Sequence, residues 1–598
     1  MIQPFDLTPE RLAALLAVAR GDVPADLLLT NLRLFNVFSS ELYPAEVAIA
    51  GDRIAAVSAT PGQYRARATL DLRGECLAPG LIDAHVHMES SLLHPGEFAA
   101  AVLPFGTTAV VSDPHEIANV HGLAGIRYML DATEGLALRV FVMLSSCVPA
   151  TDMETAGASL DAASLATLLD RPRVLGVAEV MNYPGVVNGA GDMLAKIQLG
   201  HRARLRVDGH APMLTGVALQ AYVAAGVASD HESVSLAEAH EKLRAGMQIL
   251  VREGSTAKNL DALLPLIDAR VARFCSFATD DKQPDDLMRE GHLDYVLRRA
   301  IAAGLDPMLA LQMATINTAR HYGLNDLGAV APGYLADLIT FADPLDPRVT
   351  RVFAGGRLIA EGGRLLEPQR SATAAPANVV RAPNLSLVSF QLPALGRHAR
   401  AIRLIPEQIV TGTSVEEVNV RDGNVVAAPE RDLLKIAVIE RHHGVGNTGV
   451  GLVKGFGLRA GALASTFAHD SHNIVVIGAS DEEMLLAAQA IVAMGGGLCA
   501  VRGTEVLSRL PLPIAGLMSD QPLASVRAAM ARLLEDARAL GCPLSNPYMA
   551  MAFLALPVIP ELKITDKGLV DVTEFKLISP FDVGTVALRA ARTHEDEG

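Results

Sequence analysis

Two imidazoles spaced two residues apart, His85 and His87, close the apolar run Leu77-Ala78-Pro79-Gly80-Leu81-Ile82-Asp83-Ala84-His85-Val86-His87-Met88. In an extended strand, residues i and i+2 point the same way, so both rings can reach one cation. Neutral imidazole nitrogen is a common ligand for zinc, iron and similar metals, and two such groups on one strand supply half of a shell. An isolated pair of this kind is as well explained by hydrogen bonds in a core, so the rest of the chain has to decide.

Further strand-like runs each deliver ligand-type side chains at their ends. Gly106–Ser112 leads into Asp113, Pro114, His115 and Glu116, and Val140–Leu144 into Ser145 and Ser146. Val174–Ala178 delivers Glu179, Arg206–Gly209 delivers His210, and Gly226–Asp230 delivers His231. Gln248–Val251 runs to Arg252 and Glu253, and Phe274–Thr279 to Asp280 and Asp281. Amphipathic helical patterns lie between them, among them Leu160–Leu169, Met213–Ala225, Leu236–Ala245 and Asp285–Ala303. Short buried strands alternating with helices predict a parallel sheet covered on both faces. Eight such units over about 200 to 250 residues have the dimensions of a (β/α)8 TIM-type barrel, whose active site lies at the C-terminal ends of its strands. Four histidines, one Glu and one Asp at such ends would share a cavity, where they are costly to bury unless a cation neutralises them.

The order of these groups resembles the amidohydrolase superfamily of metal-dependent hydrolases. Within it, the runs Pro79–Ser91, Ser112–Val120 and Glu179–Val186 resemble the bacterial adenine deaminases. The resemblance implies two divalent transition-metal ions (iron, manganese or zinc), with His85, His87 and Asp280 on one, His210 and His231 on the other, and Glu179 on both. Many superfamily members use a carboxylated Lys as the bridge, whereas both oxygens of Glu179 can bridge without modification. Two ions about 3.5–4 Å apart share and acidify a water. The implied reaction is hydrolysis of adenine to hypoxanthine and ammonia, a C–N bond cleavage in purine salvage, by attack of that hydroxide on C6. Asp280 is the family-type proton shuttle, and Glu116 or Asp113 is a second acid candidate. For those two the structural alternatives are a helix cap at Asp113 and surface charge at Glu116. Glu89, Ser90, His115, Asp281 and His472 are candidate substrate contacts. For Asp281 the alternative is a solvated loop, and strand alternation would turn it away from the face that Asp280 occupies.

Competing functions can be named. Deamination of another purine or opening of a cyclic amide would use the same centre, and a silent barrel acting as a binding or assembly subunit would not need six converging ligands. The small zinc deaminases need H-x-E with P-C-x-x-C. No C-x-x-C occurs among Cys76, Cys147, Cys275, Cys499 and Cys542.

The elements that position these groups follow from pattern and composition. The chain has 598 residues, 50% of them hydrophobic, enough for several cores, and a net charge of -15 that argues against nonspecific nucleic-acid binding. Residues 1–25 form a helical segment, with Thr8 as N-cap and Pro9 at the first helical position. Residues 26–75 and 330–367 read as short strands that pair into a composite β domain around the barrel of residues 76–329. A Pro- and Ala-rich linker near Pro368 to Pro383 leads to an α/β domain over residues 384–598. In that domain Ser480 begins a helix with Glu483 at N3, and Leu523–Leu540 is a second strong helix. Its histidine-containing segments, Arg441–Asn447 and Phe467–Asn473, allow a second metal site, plain turns, or a cover over the barrel mouth. Unclustered cysteines and the lack of a long apolar run predict a cytoplasmic protein that touches no membrane; a homo-oligomer, a dimer, is the expected assembly.

Overall fold

The computed structural model describes residues 7–371, 373–376, 380–381, 385–405 and 408–583. Its centre is an eight-stranded parallel sheet: β1 (Leu81–Val86), β2 (Thr107–Ser112), β3 (Arg139–Ser145), β4 (Val174–Val180), β5 (Arg206–Gly209), β6 (Ser229–Asp230), β7 (Gln248–Arg252) and β8 (Cys275–Ala278). The sheet closes on itself just past β8, where Asp280 N donates to His85 O at 3.0 Å and His87 N donates to Asp280 O at 3.2 Å. All eight expected strands are present, in the expected order. Alternate residues on neighbouring strands, Ile82 and Ala84, Ala109 and Val111, Phe141 and Met143, pack together as one buried cluster, the interdigitated filling that such a barrel requires.

Read as sequence, Leu77–Met88 is one strand; the structure divides it at Gly80. Cys76–Pro79 pairs antiparallel with Leu338–Asp343 and parallel with Ala25–Asn36, so it belongs to the flanking sheet and not to the barrel. A Cβ at Gly80 would lie 2.1 Å from Thr108 Oγ1. Only glycine lets the chain pass from one sheet into the other so close to β2. The unbroken apolar run hides the change because both halves are buried. The flanking sheet has nine strands, five from residues 25–79 and four from residues 338–365. Before it lies the helix Pro9–Ala19, whose cap Thr8 accepts from Arg11 N at 3.3 Å.

Beyond the linker an eight-stranded, largely antiparallel sheet carries the helices Asp481–Ala493, Leu523–Ala539 and Pro547–Leu554. Ser480 caps the first of these by accepting from Glu483 N at 3.3 Å. This unit is bonded to loops around the barrel mouth: Ser519 N to Leu92 O at 2.8 Å, Thr565 Oγ1 to Met153 O at 2.6 Å, and Asn473 Nδ2 to Thr155 O at 2.9 Å. Among the described residues no helix is long and apolar enough to cross a membrane.

Candidate active site

With Ile82 and Ala84 filling the barrel, strict alternation would send His85 and His87 outward. A register shift in β1 between Asp83 and Val86 re-aims them. Their Nε2 atoms lie 3.0 Å apart, converging on one point. Around it are Glu179 Oε1, 3.3 Å from His87 Nε2, and Asp280 Oδ1, 3.2 Å from His87 Nε2 and 3.6 Å from His85 Nε2. The other oxygen of Glu179 meets His210 Nδ1 at 2.6 Å and His231 Nε2 at 2.9 Å. One carboxylate from β4 therefore faces two pairs of histidines with one oxygen each. His87 Nδ1 lies 2.9 Å from the Asp113 carbonyl, which holds the proton there and leaves Nε2 its lone pair.

These six groups are all at most 6% exposed. Burial, followed by the neighbouring His231 and His87, pushes His85 well below its usual range. Burial would raise Glu179, but His210 and His231 hold it well below the carboxylate range. Burial likewise opposes Asp280, and Arg252 leads the groups that hold it down. Against burial, the facing carboxylates lift His87, His210 and His231, the last to about 9; ionised carboxylates and imidazoles gathered at shared points suit a borderline divalent cation, which would take the place of those protons. His210 Nε2 and His231 Nδ1, both buried, have no hydrogen-bond partner.

Two side chains without an assigned role in the sequence reading complete this wall. Arg252, at the end of β7, donates to Asp280 Oδ2 at 2.9 Å and also bonds Glu232. Asp280 Oδ1 is thereby left facing the histidines. The signal for Arg252 was its place at a strand end; for Glu232 it was adjacency to His231.

The opposite wall comes from two distant parts of the chain. His115 and Glu116 open the helix His115–His121 that follows β2. Glu116 pairs with His469 Nδ1 at 2.6 Å and with His472 Nε2, both from the C-terminal unit. His115 spans the two walls, with Nδ1 3.5 Å from Glu179 Oε1 and Nε2 3.6 Å from Asp470 Oδ1. Asp281 accepts from Ser90 Oγ and lies 3.6 Å from His469 Nε2. Phe553 stacks on the His469 ring at 4.7 Å.

Comparison with known proteins agrees with this constellation. Residues 76–359 match the amidohydrolase family, and residues 408–576 match the adenine deaminase C-terminal domain. The adenine deaminase of Desulfatibacillum aliphaticivorans is 47% identical over 95% of this chain and 99% of its own length. That of Nitratidesulfovibrio vulgaris strain Hildenborough is 48% identical over 94% and 97%. Adenine deaminase of Methanothrix thermoacetophila, 47% identical, covers 94% and 98%.

The chain belongs to the adenine deaminase family. It is therefore an enzyme, a hydrolase of the amidohydrolase type that acts on C–N bonds. In this adenine deaminase family member several sequence expectations need correction. Asp113 does not cap the following helix; it accepts from Ser145 Oγ at 2.6 Å and lies 3.4 Å from His115 Nδ1. Glu116 is not surface charge but fully buried. Asp281 faces the same cavity as Asp280, because Asp280 adopts a left-handed φ of 56° past the end of β8, where strand alternation no longer applies. His472 has both ring nitrogens engaged, Nδ1 accepting from Ala468 N at 3.1 Å and Nε2 bonding Glu116, so it supports the wall and does not reach the cavity. Glu89 also stands behind the wall, accepting from Ile117 N at 3.3 Å, with its carboxyl pushed up by burial to about 7. His442 and His443 bond the carbonyls of Ser471 and Ala156, at 2.6 and 3.0 Å, and act as turn supports.

Proposed function

We propose that this site binds adenine and hydrolyses it to hypoxanthine and ammonia. The observation that carries the proposal is the split engagement of Glu179, one oxygen toward His85 and His87 and the other on His210 and His231. In this reading His85, His87 and Asp280 hold one divalent ion, His210 and His231 a second, and Glu179 both. When bound, two ions of the iron, manganese or zinc kind supply a water acidified to near neutral pH.

The chain's own groups then divide the remaining work. Asp280 Oδ1, beside the His85 and His87 ring nitrogens, takes a proton and returns it to a ring nitrogen or the departing amine. Arg252 keeps the other Asp280 oxygen occupied, so only one oxygen serves as base. Glu116, His115 and Asp281 face the space a purine ring would fill and are placed to hold its nitrogen edge. Asp113, Ser90, Glu89 and His472 position those three from behind. The C-terminal unit is thus part of the catalytic wall. The same reading places the enzyme in the cytoplasm, supported by five cysteines that are all buried and free, and working as a dimer, which sedimentation would test.

The deciding experiment follows absorbance and ammonia release from adenine with metal-replete enzyme. Hypoxanthine and ammonia in equal amounts are expected, with adenosine a poor substrate. Absence of ammonia from adenine, together with opening of a hydantoin or dihydropyrimidine ring, would replace this reading with cyclic amide hydrolysis.

A further inference from the structure

The catalytic cavity is small, about 20 Å³, room for roughly one water. Against it lies a second cavity of about 770 Å³ between the barrel and the C-terminal unit, within the roughly 300–1,000 Å³ usual for small organic ligands. Three residues line both: Arg252, Ile409 and Phe553. A purine can reach the metal-binding wall from the larger space only if this partition moves. Arg252 is locked between Asp280 and Glu232, which leaves Ile409 and Phe553 as its movable part.

One side chain pins both. Lys563 Nζ donates to Ile409 O and to Phe553 O, each at 2.8 Å. Phe553 lies in the last turn of Pro547–Leu554, where its carbonyl also accepts from Leu556 N at the longer distance of 3.4 Å, so Lys563 supplies its closer donor. Lys563 is fully buried, and burial pushes its amine down to about 7. A buried lysine spent on two carbonyls rather than on a carboxylate is costly, and at this position its effect is to fix two chain segments at once. Releasing it would free the end of the helix and the Ile409 segment together.

We infer that the larger cavity is the entry vestibule for the purine, and that Ile409 and Phe553 form its inner gate, clasped by Lys563. The vestibule carries amides and hydroxyls, among them Asn259, Gln283, Ser545 and Asn546, beside apolar Met530 and Leu534 and a charged rim that includes Lys258, Asp285, Arg289 and Arg538, so it offers a flat base both apolar surface and hydrogen-bonding groups. Opening has to lift Phe553 off the His469 ring, because the closed cavity of about 20 Å³ cannot hold a purine beside that stack. The identity of the base rests on the adenine reading; the gate rests on the partition alone.

Three variants test it by steady-state kinetics. Phe553→Ala should raise kcat/KM for N6-methyladenine relative to adenine by roughly tenfold or more, the scale of a hydrophobic steric filter. Lys563→Met, similar in length and apolar, should raise KM about three- to tenfold with kcat little changed. Ala550→Trp, on the vestibule wall one turn before Leu554, should lower kcat/KM about tenfold while kcat persists at saturation. Phe553→Leu replaces the alanine variant if that does not fold. Folded variants with an unchanged substrate ratio and unchanged kcat/KM would overturn the gate. If the wild-type enzyme does not deaminate adenine, the same ratios read on a cyclic amide and its bulkier analogue keep the two proposals separable.

Discussion

Glu179 and Glu116 are both buried carboxylates held among histidines, on facing walls of one cavity. The resemblance ends there. Around Glu179 the donor atoms crowd together: two Nε2 atoms 3.0 Å apart with an Asp280 oxygen beside them, and His210 Nδ1 and His231 Nε2 sharing one Glu179 oxygen. Around Glu116 each carboxylate oxygen has its own imidazole, and burial notwithstanding, Glu116 and then Asp281 lift His469 to about 9. Against burial, Glu179 likewise leads the groups that lift His231 to about 9, and His115, Glu116, His469 and Asp470 also bring ligand atoms within 4.8 Å of one another, so the clusters differ in how the central carboxylate shares its oxygens and not in charge. The same side-chain types therefore make a shared bridge or a set of one-to-one contacts, depending on whether imidazoles converge on one carboxylate oxygen or take one each.

The largest effect should come from breaking the convergent cluster. Glu179→Gln is expected to lower occupancy of both ions together and abolish turnover, whereas Glu116→Gln should leave the metal content of the protein unchanged; elemental analysis of the two variants decides. If Glu116→Gln also emptied the metal positions, the contrast between the walls would be wrong. Next, Asp280→Asn should cut kcat by about 10²- to 10⁴-fold, as for loss of a general acid-base group. Asp281→Asn should be milder, acting through the hold on substrate. The opposite ranking at equal metal content would move the proton-transfer role to Asp281.

Glu116→Gln should also destabilise the fold, by about 3 kcal/mol as for a broken buried pair, read as a lower Tm. His472→Ala should chiefly lower Tm, by the ~1–3 kcal/mol of an orphaned buried partner, with KM nearly unchanged; a large rise in KM at unchanged Tm would restore it as a substrate contact. The smallest effect is a pH dependence. His469 has a folded-state pKa of about 9 against 6.5 as the reference, so its pairing stabilises fully below pH 6.5 and is lost as pH rises through about 9. The stability difference between wild type and His469→Gln should shrink over that window when followed by chemical denaturation at several pH values. A flat difference would mean that His469 is neutral in the folded state.

The first wall was legible because its chemistry follows strand order. Each ligand ends a β segment, and a period-two apolar run followed by His, Glu or Asp can be counted without knowing the fold. The second wall was legible only in part. His115 and Glu116 follow β2 and drew attention, but their partners lie more than 350 residues away, and nothing local distinguishes the His469 turn from the His442 turn. Capping was a reasonable expectation for Asp113, since an acid before a helix usually serves that purpose; Ser145 and His115 claim it instead. Strand alternation failed at both ends of the site, at the irregularity in β1 and at the left-handed Asp280, because both lie where the ladder gives way to the loops that carry function.

The passage at Gly80 has a consequence for inheritance. The strand that ends there lies between Ala25–Asn36 and Leu338–Asp343 in one hydrogen-bonded ladder, so the barrel is spliced into the flanking sheet as an insert whose entry and exit are stitched side by side. A cut at either end of the barrel severs that ladder. Recombination or engineering that transplants this catalytic barrel has to carry both halves of the sheet with it, although some 260 residues separate them in the gene.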